Sequence, residues 1–116
     1  MSTSNVRRIA PIFPVRDVTL SLAFYASLGF TTREYEGGGY GFATWGGVEL
    51  HLGQTEDTAA HASAYLFVDD ADDLATRWTA AGATVHPPMD TPWGQHEGVL
   101  VDPDRNVIRF GSPMKE

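Results

Sequence analysis

The chain of 116 residues contains an internal repeat whose two copies are offset by 53 residues, the separation of Gly29 and Gly82. A Val-Arg-Asp at residues 15–17 precedes Gly29, and a Val-Asp-Asp at residues 68–70 precedes Gly82. Each copy combines an apolar segment ending in Asp, a helical segment that ends at Gly, and further strand-like segments. A repeat unit of this size buries its apolar face against its copy. The repeat therefore predicts two modules with a cleft between them, and ligands usually bind in clefts.

The predicted element order is βαβββ, twice. The fold class is then α+β, with two tandem βαβββ modules whose strands form a curved sheet lining the cleft. We expect a single domain over residues 1–116, with module 1 at about 7–53, a linker at about 54–62 and module 2 at about 63–112. The predicted strands cover residues 8–15, 30–36, 40–45, 48–52, 63–68, 84–89, 98–101 and 106–110, and the predicted helices cover residues 18–28 and 71–81.

Local signals set the ends of these elements. Asp17 and Asp70 are typical helix N-caps, and Gly29 is a typical C-terminal stop. The first strand contains Pro11 and Pro14, which have no amide hydrogen to donate to a ladder. We expect this strand at a sheet edge or partly detached from its own module. The other segment with adjacent prolines, residues 84–89, is expected to be interrupted, and residues 90–97 to form a loop.

Composition excludes several classes of function. The chain has no cysteine, so it has no disulfide, thiolate metal site or cysteine nucleophile. A formal net charge of −7 argues against nucleic acid, which needs clustered Lys and Arg. The acidity either serves solubility or attracts a cationic ligand. No segment has the pattern of a secretory signal or a membrane span, so we expect a cytoplasmic protein with no membrane partner.

Alternation along the strands indicates which side chains face the cleft. The apolar face of one strand consists of Val48, Leu50 and Leu52. Glu49 and His51 therefore point to the opposite face of that strand. The same argument places Tyr65 and Phe67 on the cleft side of the fifth strand, and Arg109 on that side of the last one. The candidate ligand-binding surface is therefore aromatic with a few charges, as small-molecule sites commonly are.

Residues of the predicted loops add further candidates. Trp93 lies between Pro92 and Gly94, and it either caps the core or provides an aromatic plate for a flat ligand. Tyr35 and Tyr40 flank a triglycine segment and are alternatives for an opposite plate, or serve structure. Carboxylates suited to contact a cationic ligand are Glu36, Glu49 and Glu97. His51 has no neighbouring nucleophile, so it is more readily a hydrogen-bonding residue than a catalyst.

Two motifs resemble the vicinal-oxygen-chelate superfamily, which includes glyoxalase I, extradiol dioxygenases, fosfomycin-modifying enzymes and the bleomycin resistance proteins. The first is the Pro-Val-Arg-Asp of residues 14–17 with the Phe-Tyr and Leu-Gly-Phe that follow within residues 24–30. The second is Trp93-Gly94 followed by Val-Asp-Pro-Asp-Arg-Asn-Val-Ile at residues 101–108. Arg105 departs from the family pattern, which usually has Gly. The resemblance covers nearly the whole chain and is specific for the fold, whereas the fold hosts several chemistries.

The resemblance also identifies the positions where the family's enzymes hold a metal. They correspond here to Ala10, His51, Ser63 and Arg109. One of these four is a good ligand, and Arg109 is a fixed cation that repels a divalent ion. A divalent site of zinc-like geometry needs three or four ligands. We therefore expect no metal, no cofactor and no catalytic residue.

Three features are similar to those of the bleomycin resistance proteins within that superfamily. They are the apolar first strand with its prolines, Arg109 on the last strand and Trp93-Gly94 before the final hairpin. The resemblance implies a homodimer that sequesters the drug in two grooves at the subunit interface without covalent chemistry. It also implies that Pro11 helps to exchange the N-terminal arm between subunits. Two alternatives remain: a metal-dependent lyase, isomerase or dioxygenase of the same superfamily, or a binding protein for another small molecule. The expected ligand-binding residues are Tyr35, Glu36, Tyr40, Glu49, His51, Tyr65, Phe67, Trp93, Gly94 and Arg109.

Overall fold

A computed structural model describes residues 5–114, which form eight strands and two helices in two similar halves. The first sheet has the order β1-β4-β3-β2 and the second the order β5-β8-β7-β6. The predicted α+β class and the repeated βαβββ order are confirmed. The elements are β1 (Ile12–Val15), α1 (Val18–Leu28), β2 (Thr31–Glu34), β3 (Tyr40–Trp45), β4 (Val48–Gln54), β5 (Ser63–Phe67), α2 (Ala71–Ala80), β6 (Thr84–Asp90), β7 (Gln95–Val101) and β8 (Val107–Pro113).

The strand registers show that the two sheets are copies of each other. β1 pairs with β4 in parallel and places Ile12 opposite His51, while β5 pairs with β8 in parallel and places Tyr65 opposite Arg109. Ile12 and Tyr65 are 53 residues apart, which is the offset of the sequence repeat. His51 and Arg109 therefore occupy equivalent positions in the two sheets.

Capping residues fix both helices as the sequence predicts. The side chain of Asp17 accepts a hydrogen bond from the amide of Leu20 at 3.0 Å, and Asp70 accepts one from the amide of Asp73 at 3.0 Å. α1 ends at Gly29, whose φ of 115° lies in the left-handed region. A side chain there would also meet the Trp45 ring at 3.1 Å, so two constraints favour glycine.

A core continuous between the two halves joins them. Trp78 of α2 is buried, and its indole N–H donates to the carbonyl of Leu28 in α1 at 3.0 Å. Its ring packs edge-on against Phe110 of β8 with the centroids 4.9 Å apart. The side-chain amide of Asn106 donates to the carbonyl of Pro14 at 2.9 Å. Large buried aromatics and satisfied polar groups thus hold the two sheets in a fixed relation.

The first strand is shorter than predicted. It begins at Ile12 rather than residue 8, and it pairs with β4 of its own chain at the edge of the first sheet. The edge position that the prolines predicted is confirmed. Pro11 precedes the strand, is exposed, and accepts a hydrogen bond from the amide of His51 at 2.9 Å.

Two predictions for the second half were wrong. β6 is not interrupted at Pro87 and Pro88, because a shift of register between His86 and Met89 carries the strand past them. The loop predicted for residues 90–97 covers only residues 91–94, since β7 already begins at Gln95. The extension of β7 places Gln95 and Glu97 on one face of a strand.

Two predictions about buried apolar residues were also wrong. Helical spacing predicts Leu20 on the apolar face of α1 with Phe24 and Leu28, but Leu20 is 69 % exposed. The buried face of α1 consists of Val18, Leu22, Tyr25 and Leu28 with Ser21. Val48 is half-exposed because it lies at the tip of the β3–β4 hairpin, beyond the edge of the core. Within residues 5–114, no helix is long and apolar enough to cross a membrane.

Candidate functional site

The first sheet has a polar and aromatic group that we call the first-sheet cluster (Arg8, Tyr40, Phe42, Glu49 and His51). His51 is at its centre, with Nδ1 2.8 Å from the Tyr40 hydroxyl and Nε2 2.5 Å from a Glu49 carboxylate oxygen. The other Glu49 oxygen accepts from the guanidinium of Arg8. The Tyr40 and Phe42 rings stand edge-on to the imidazole at 5.4 and 4.9 Å.

Charge and hydrogen bonding in this cluster favour an ionised Glu49. The hydrogen bond from His51, followed by that from Arg8, lowers the pKa of Glu49 below its usual value. When Nε2–H of His51 donates to Glu49, Nδ1 accepts from the Tyr40 hydroxyl, so both ring nitrogens have partners. His51 is then held in place by Tyr40 and Glu49.

The second sheet has the second-sheet cluster (Tyr65, Phe67, Trp93, Glu97 and Arg109). Three side chains of the cluster surround Glu97, whose own side chain is 7 % exposed. The Trp93 indole N–H donates to one carboxylate oxygen of Glu97 at 3.3 Å, and a guanidinium nitrogen of Arg109 lies 3.6 Å from the other. Trp93 is itself 66 % exposed, so the indole presents most of its surface to solvent.

The ring of Tyr65 extends over Gly111 and brings its hydroxyl near Glu97. A side chain at Gly111 would lie 2.1 Å from the Tyr65 hydroxyl oxygen, so the ring occupies the space that Gly111 leaves open. The hydroxyl oxygen is buried and makes no hydrogen bond at normal distance within the described chain. Burial, and then the nearby Glu97 carboxylate, raise the pKa of Tyr65, so the hydroxyl keeps its proton.

Aromatic surface continues from Tyr65 to the edge of the second sheet. The Tyr65 and Phe67 rings are 4.9 Å apart, and Phe67 is 78 % exposed. Phe67 also borders an apolar cleft of about 310 Å³ between the two halves. Trp45 and Val48 of the β3–β4 hairpin line the opposite side of this cleft.

The sequence-predicted residues thus fall into separate groups. Tyr40, Glu49 and His51 meet in the first-sheet cluster, and Tyr65, Phe67, Trp93 and Arg109 in the second. Within residues 5–114, no hydrogen bond, ion pair or ring contact joins the two clusters. Tyr35 and Glu36 follow β2 and are exposed beside the triglycine turn, and Gly94 forms the β6–β7 turn with a φ of 90°.

Three residues in or near the two clusters make contacts that the sequence did not predict. Glu97 was assigned to a loop, and only the observed start of β7 reveals that its side chain lies under Trp93. Arg8 comes from a segment whose contact with Glu49 has no local sequence signal. His96 has one ring nitrogen 2.9 Å from Asp72 and the other 2.9 Å from Asp90, a contact set by tertiary packing of α2 on β6.

The residues at the presumed metal positions do not suit a divalent ion. His51 is engaged with Tyr40 and Glu49, and its counterpart Arg109 presents a permanent positive charge. Ala10 and Ser63 supply no nitrogen or carboxylate ligand. Within the described part of the chain, no group of three or more His, Asp or Glu side chains is arranged to hold a metal.

Comparison with known proteins is consistent with the repeat and the strand order. The family model described as Glyoxalase/Bleomycin resistance protein/Dioxygenase superfamily matches residues 7–110. A bleomycin resistance protein of Geobacillus stearothermophilus is 27 % identical over 128 residues, covering 90 % of this chain and 96 % of the relative.

Solved structures give the same result. The bleomycin resistance determinant encoded on the transposon Tn5 superposes with a TM-score of 0.82 at 25 % identity, covering 95 % of this chain and all of that one. A bleomycin-binding protein in complex with bleomycin superposes with a TM-score of 0.81 at 25 % identity, covering 94 % of this chain and all of that one.

Proposed function

Because the chain belongs to the glyoxalase/bleomycin resistance protein/dioxygenase superfamily, we propose that it confers antibiotic resistance by sequestering bleomycin-type glycopeptide drugs without chemical change. The observation that carries this proposal is the pairing of an exposed aromatic plate, Trp93, with a buried carboxylate, Glu97. A flat heteroaromatic tail stacks on the indole, and stacking adds about 0.5–1.5 kcal/mol to the burial of area. Tyr65, Phe67 and Arg109 extend this binding surface.

The first-sheet cluster supplies the other wall of the proposed groove. Tyr40 and His51 offer ring edges and hydrogen-bonding atoms, and Glu49 offers a carboxylate whose pKa is lowered by His51 and Arg8. Tyr35, Glu36 and Gly94 belong to the turns that border the groove. The net charge of −7 assists encounter with a cationic drug, because surface charge acts mainly on the association rate.

A homodimer brings the two clusters together in this proposal. Within residues 5–114 no contact joins them, and exposed apolar side chains lie in the second-sheet cluster and beside the first, including Phe67 at 78 % and Ile9 at 95 %. A two-fold axis that places the first-sheet cluster of one subunit opposite the second-sheet cluster of its partner forms two equivalent grooves. Pro11, just before β1, is the proposed hinge from which the N-terminal arm reaches the partner, and in such a dimer the contact of Arg8 with Glu49 forms between the subunits.

Binding without catalysis follows from the chemistry of both clusters. His51 is held between the phenolic hydroxyl of Tyr40 and the carboxylate of Glu49, and within residues 5–114 no Ser, Thr or Cys side chain hydrogen-bonds to its ring. Arg109 takes the place of a metal-binding residue. These features favour sequestration over the alternative of a metal-dependent lyase, isomerase or dioxygenase.

Calorimetric titration with metal-free and copper-loaded bleomycin, followed by mass analysis of the recovered drug, tests the proposal. We expect one drug molecule per chain and a drug of unchanged mass after the protein is denatured. Binding with a changed drug mass would replace sequestration by enzymatic modification. No heat with bleomycin at tens of micromolar would reassign the groove to another small molecule.

A further inference from the structure

Glu97 is the point where the second-sheet cluster converges. Its side chain is 7 % exposed, and the Trp93 indole N–H and the Arg109 guanidinium address different oxygens of its carboxylate. The buried hydroxyl of Tyr65 lies on the same side of the sheet, over Gly111, which is the residue opposite Glu97 on β8. We propose that Glu97 is a positioning residue that fixes the Trp93 indole as a preformed plate and holds Arg109 beside it. Its role in drug binding rests on the proposed function.

The burial of the Glu97 carboxylate is unusual for an ion pair, here with Arg109, that serves only stability. A buried charge is costly unless short hydrogen bonds compensate it. The contacts of Glu97 are long, at 3.3 Å to Trp93 and 3.6 Å to Arg109, and Arg109 is itself 55 % exposed. Such a pair contributes little net stability. The arrangement is better explained by its effect on Trp93, since the hydrogen bond to Glu97 restricts the orientation of the indole.

Trp93 needs such a constraint because of where it lies. It belongs to the turn of residues 91–94, next to Gly94 with its positive φ, and two-thirds of its surface is exposed. An exposed indole on a turn samples several rotamers, so the binding of a flat ligand involves a loss of conformational entropy. A hydrogen bond from the indole nitrogen to a carboxylate fixed in β7 removes part of this loss before the ligand arrives.

The first sheet uses the equivalent position in the same way. Tyr40 is opposite Gly53 in its sheet as Glu97 is opposite Gly111 in the other, so the two residues are counterparts. Tyr40 contacts His51 at 2.8 Å, and Glu97 contacts Arg109, the counterpart of His51. In both sheets, the residue at this position therefore contacts a side chain of the last strand of its half, His51 of β4 or Arg109 of β8.

The free protein allows a direct test. In ¹⁵N-labelled protein, with the Trp93 indole signal assigned through Trp93→Phe, Glu97→Leu should shift that signal and speed its hydrogen exchange. Glu97→Gln, which retains an acceptor oxygen and nearly the same volume, should leave the indole signal near its native position. The indole signals of Trp45 and Trp78 are internal controls for the fold. An unchanged Trp93 signal in folded Glu97→Leu would overturn the proposal.

Bleomycin binding then tests the consequence with a double-mutant cycle. Glu97→Leu should weaken binding about three- to tenfold, as expected for loss of one hydrogen bond that orients a contact residue. The same substitution should have little effect in a Trp93→Ala background. Glu56→Gln, which removes one negative charge from an exposed position, controls for loss of electrostatic steering.

Additive effects of Glu97→Leu and Trp93→Ala would overturn the claim that Glu97 acts through Trp93. Failure of the native protein to bind bleomycin, with a Trp93 signal that responds to Glu97, would refute the proposed function and leave the positioning role supported.

Discussion

The hydroxyl of Tyr25 donates a hydrogen bond to Asp102 at 2.8 Å, joining α1 to the turn between β7 and β8. Both residues are buried, and they lie 77 positions apart in the chain. Asp102 also accepts from the amide and the side chain of Asn106 and from the amide of Asp104. Burial chiefly, and then Asp102, raise the pKa of Tyr25 well above its usual value. A fully bonded polar group of this kind fixes how the two halves meet.

Removing the Tyr25 hydroxyl should destabilise the protein without affecting the ligand-binding residues. We expect Tyr25→Phe to lower the free energy of unfolding by about 1–2 kcal/mol, because a buried carboxylate oxygen loses one of its donors. Urea unfolding followed by circular dichroism measures this change. Tyr35→Phe removes an exposed hydroxyl and is the matched control. Equal stability of the two variants would contradict the account.

The contacts of His96 predict a stability that depends on pH. Each ring nitrogen lies 2.9 Å from a carboxylate oxygen, so both must donate, and this requires the charged imidazolium. The hydrogen bonds to Asp72 and then Asp90 raise the pKa of His96 above 6.5. A raised folded-state pKa stabilises the protein fully below the unfolded pKa, and this stabilisation is lost as pH rises through the folded pKa.

We therefore expect His96→Gln to cost stability at about pH 6 and progressively less at higher pH. The difference should be about 0.5–1 kcal/mol at its largest, since Asp72 and Asp90 are more than half exposed. Urea unfolding across this range measures it, with the exposed His86→Gln as the control. A difference that grows with pH would show that the sign is wrong.

Features repeated along the chain were predictable from the sequence. The offset between Gly29 and Gly82 predicts two like modules, and Asp17 predicts the start of α1 because an N-cap acts within one turn. Alternation places His51 and Arg109 on the face opposite the core, since the side-chain period of a strand is two.

Features that depend on tertiary packing were not predictable. The register shift that carries β6 past Pro87 depends on its pairing with β7. Glu97 was missed as a partner of Trp93 because a strand that begins at Gln95 cannot be distinguished locally from a loop. The exposure of Leu20 shows the same limit, since helical spacing alone does not decide which side of α1 packs on the sheet.

Metal analysis separates binding from the chemistry of the superfamily's enzymes. With Arg109 and Ala10 at presumed ligand positions, protein purified without chelator should contain no stoichiometric Zn, Ni, Mn or Fe. About one metal ion per native chain, lost with an enzymatic activity on chelation, would refute the binding-only account.

The proposed arm exchange predicts a dimer that is sensitive to Pro11. Sedimentation velocity at micromolar concentration should give a homodimer for the native protein and a shift toward monomer for Pro11→Ala, because Ala relaxes the backbone that directs the arm. Pro87→Ala, at an exposed proline in β6, should leave the dimer unchanged. A native protein that sediments as a monomer would contradict the proposed groove.

Tryptophan fluorescence during titration with bleomycin reports on the proposed stacking of the drug on Trp93. We expect saturable quenching at one drug molecule per chain. Trp93→Ala should weaken binding by about 1–3 kcal/mol and abolish most of the quenching, whereas Trp45→Ala should change both little. Tight binding that persists unchanged in Trp93→Ala, or no quenching of the native protein at tens of micromolar drug, would contradict the proposed stacking.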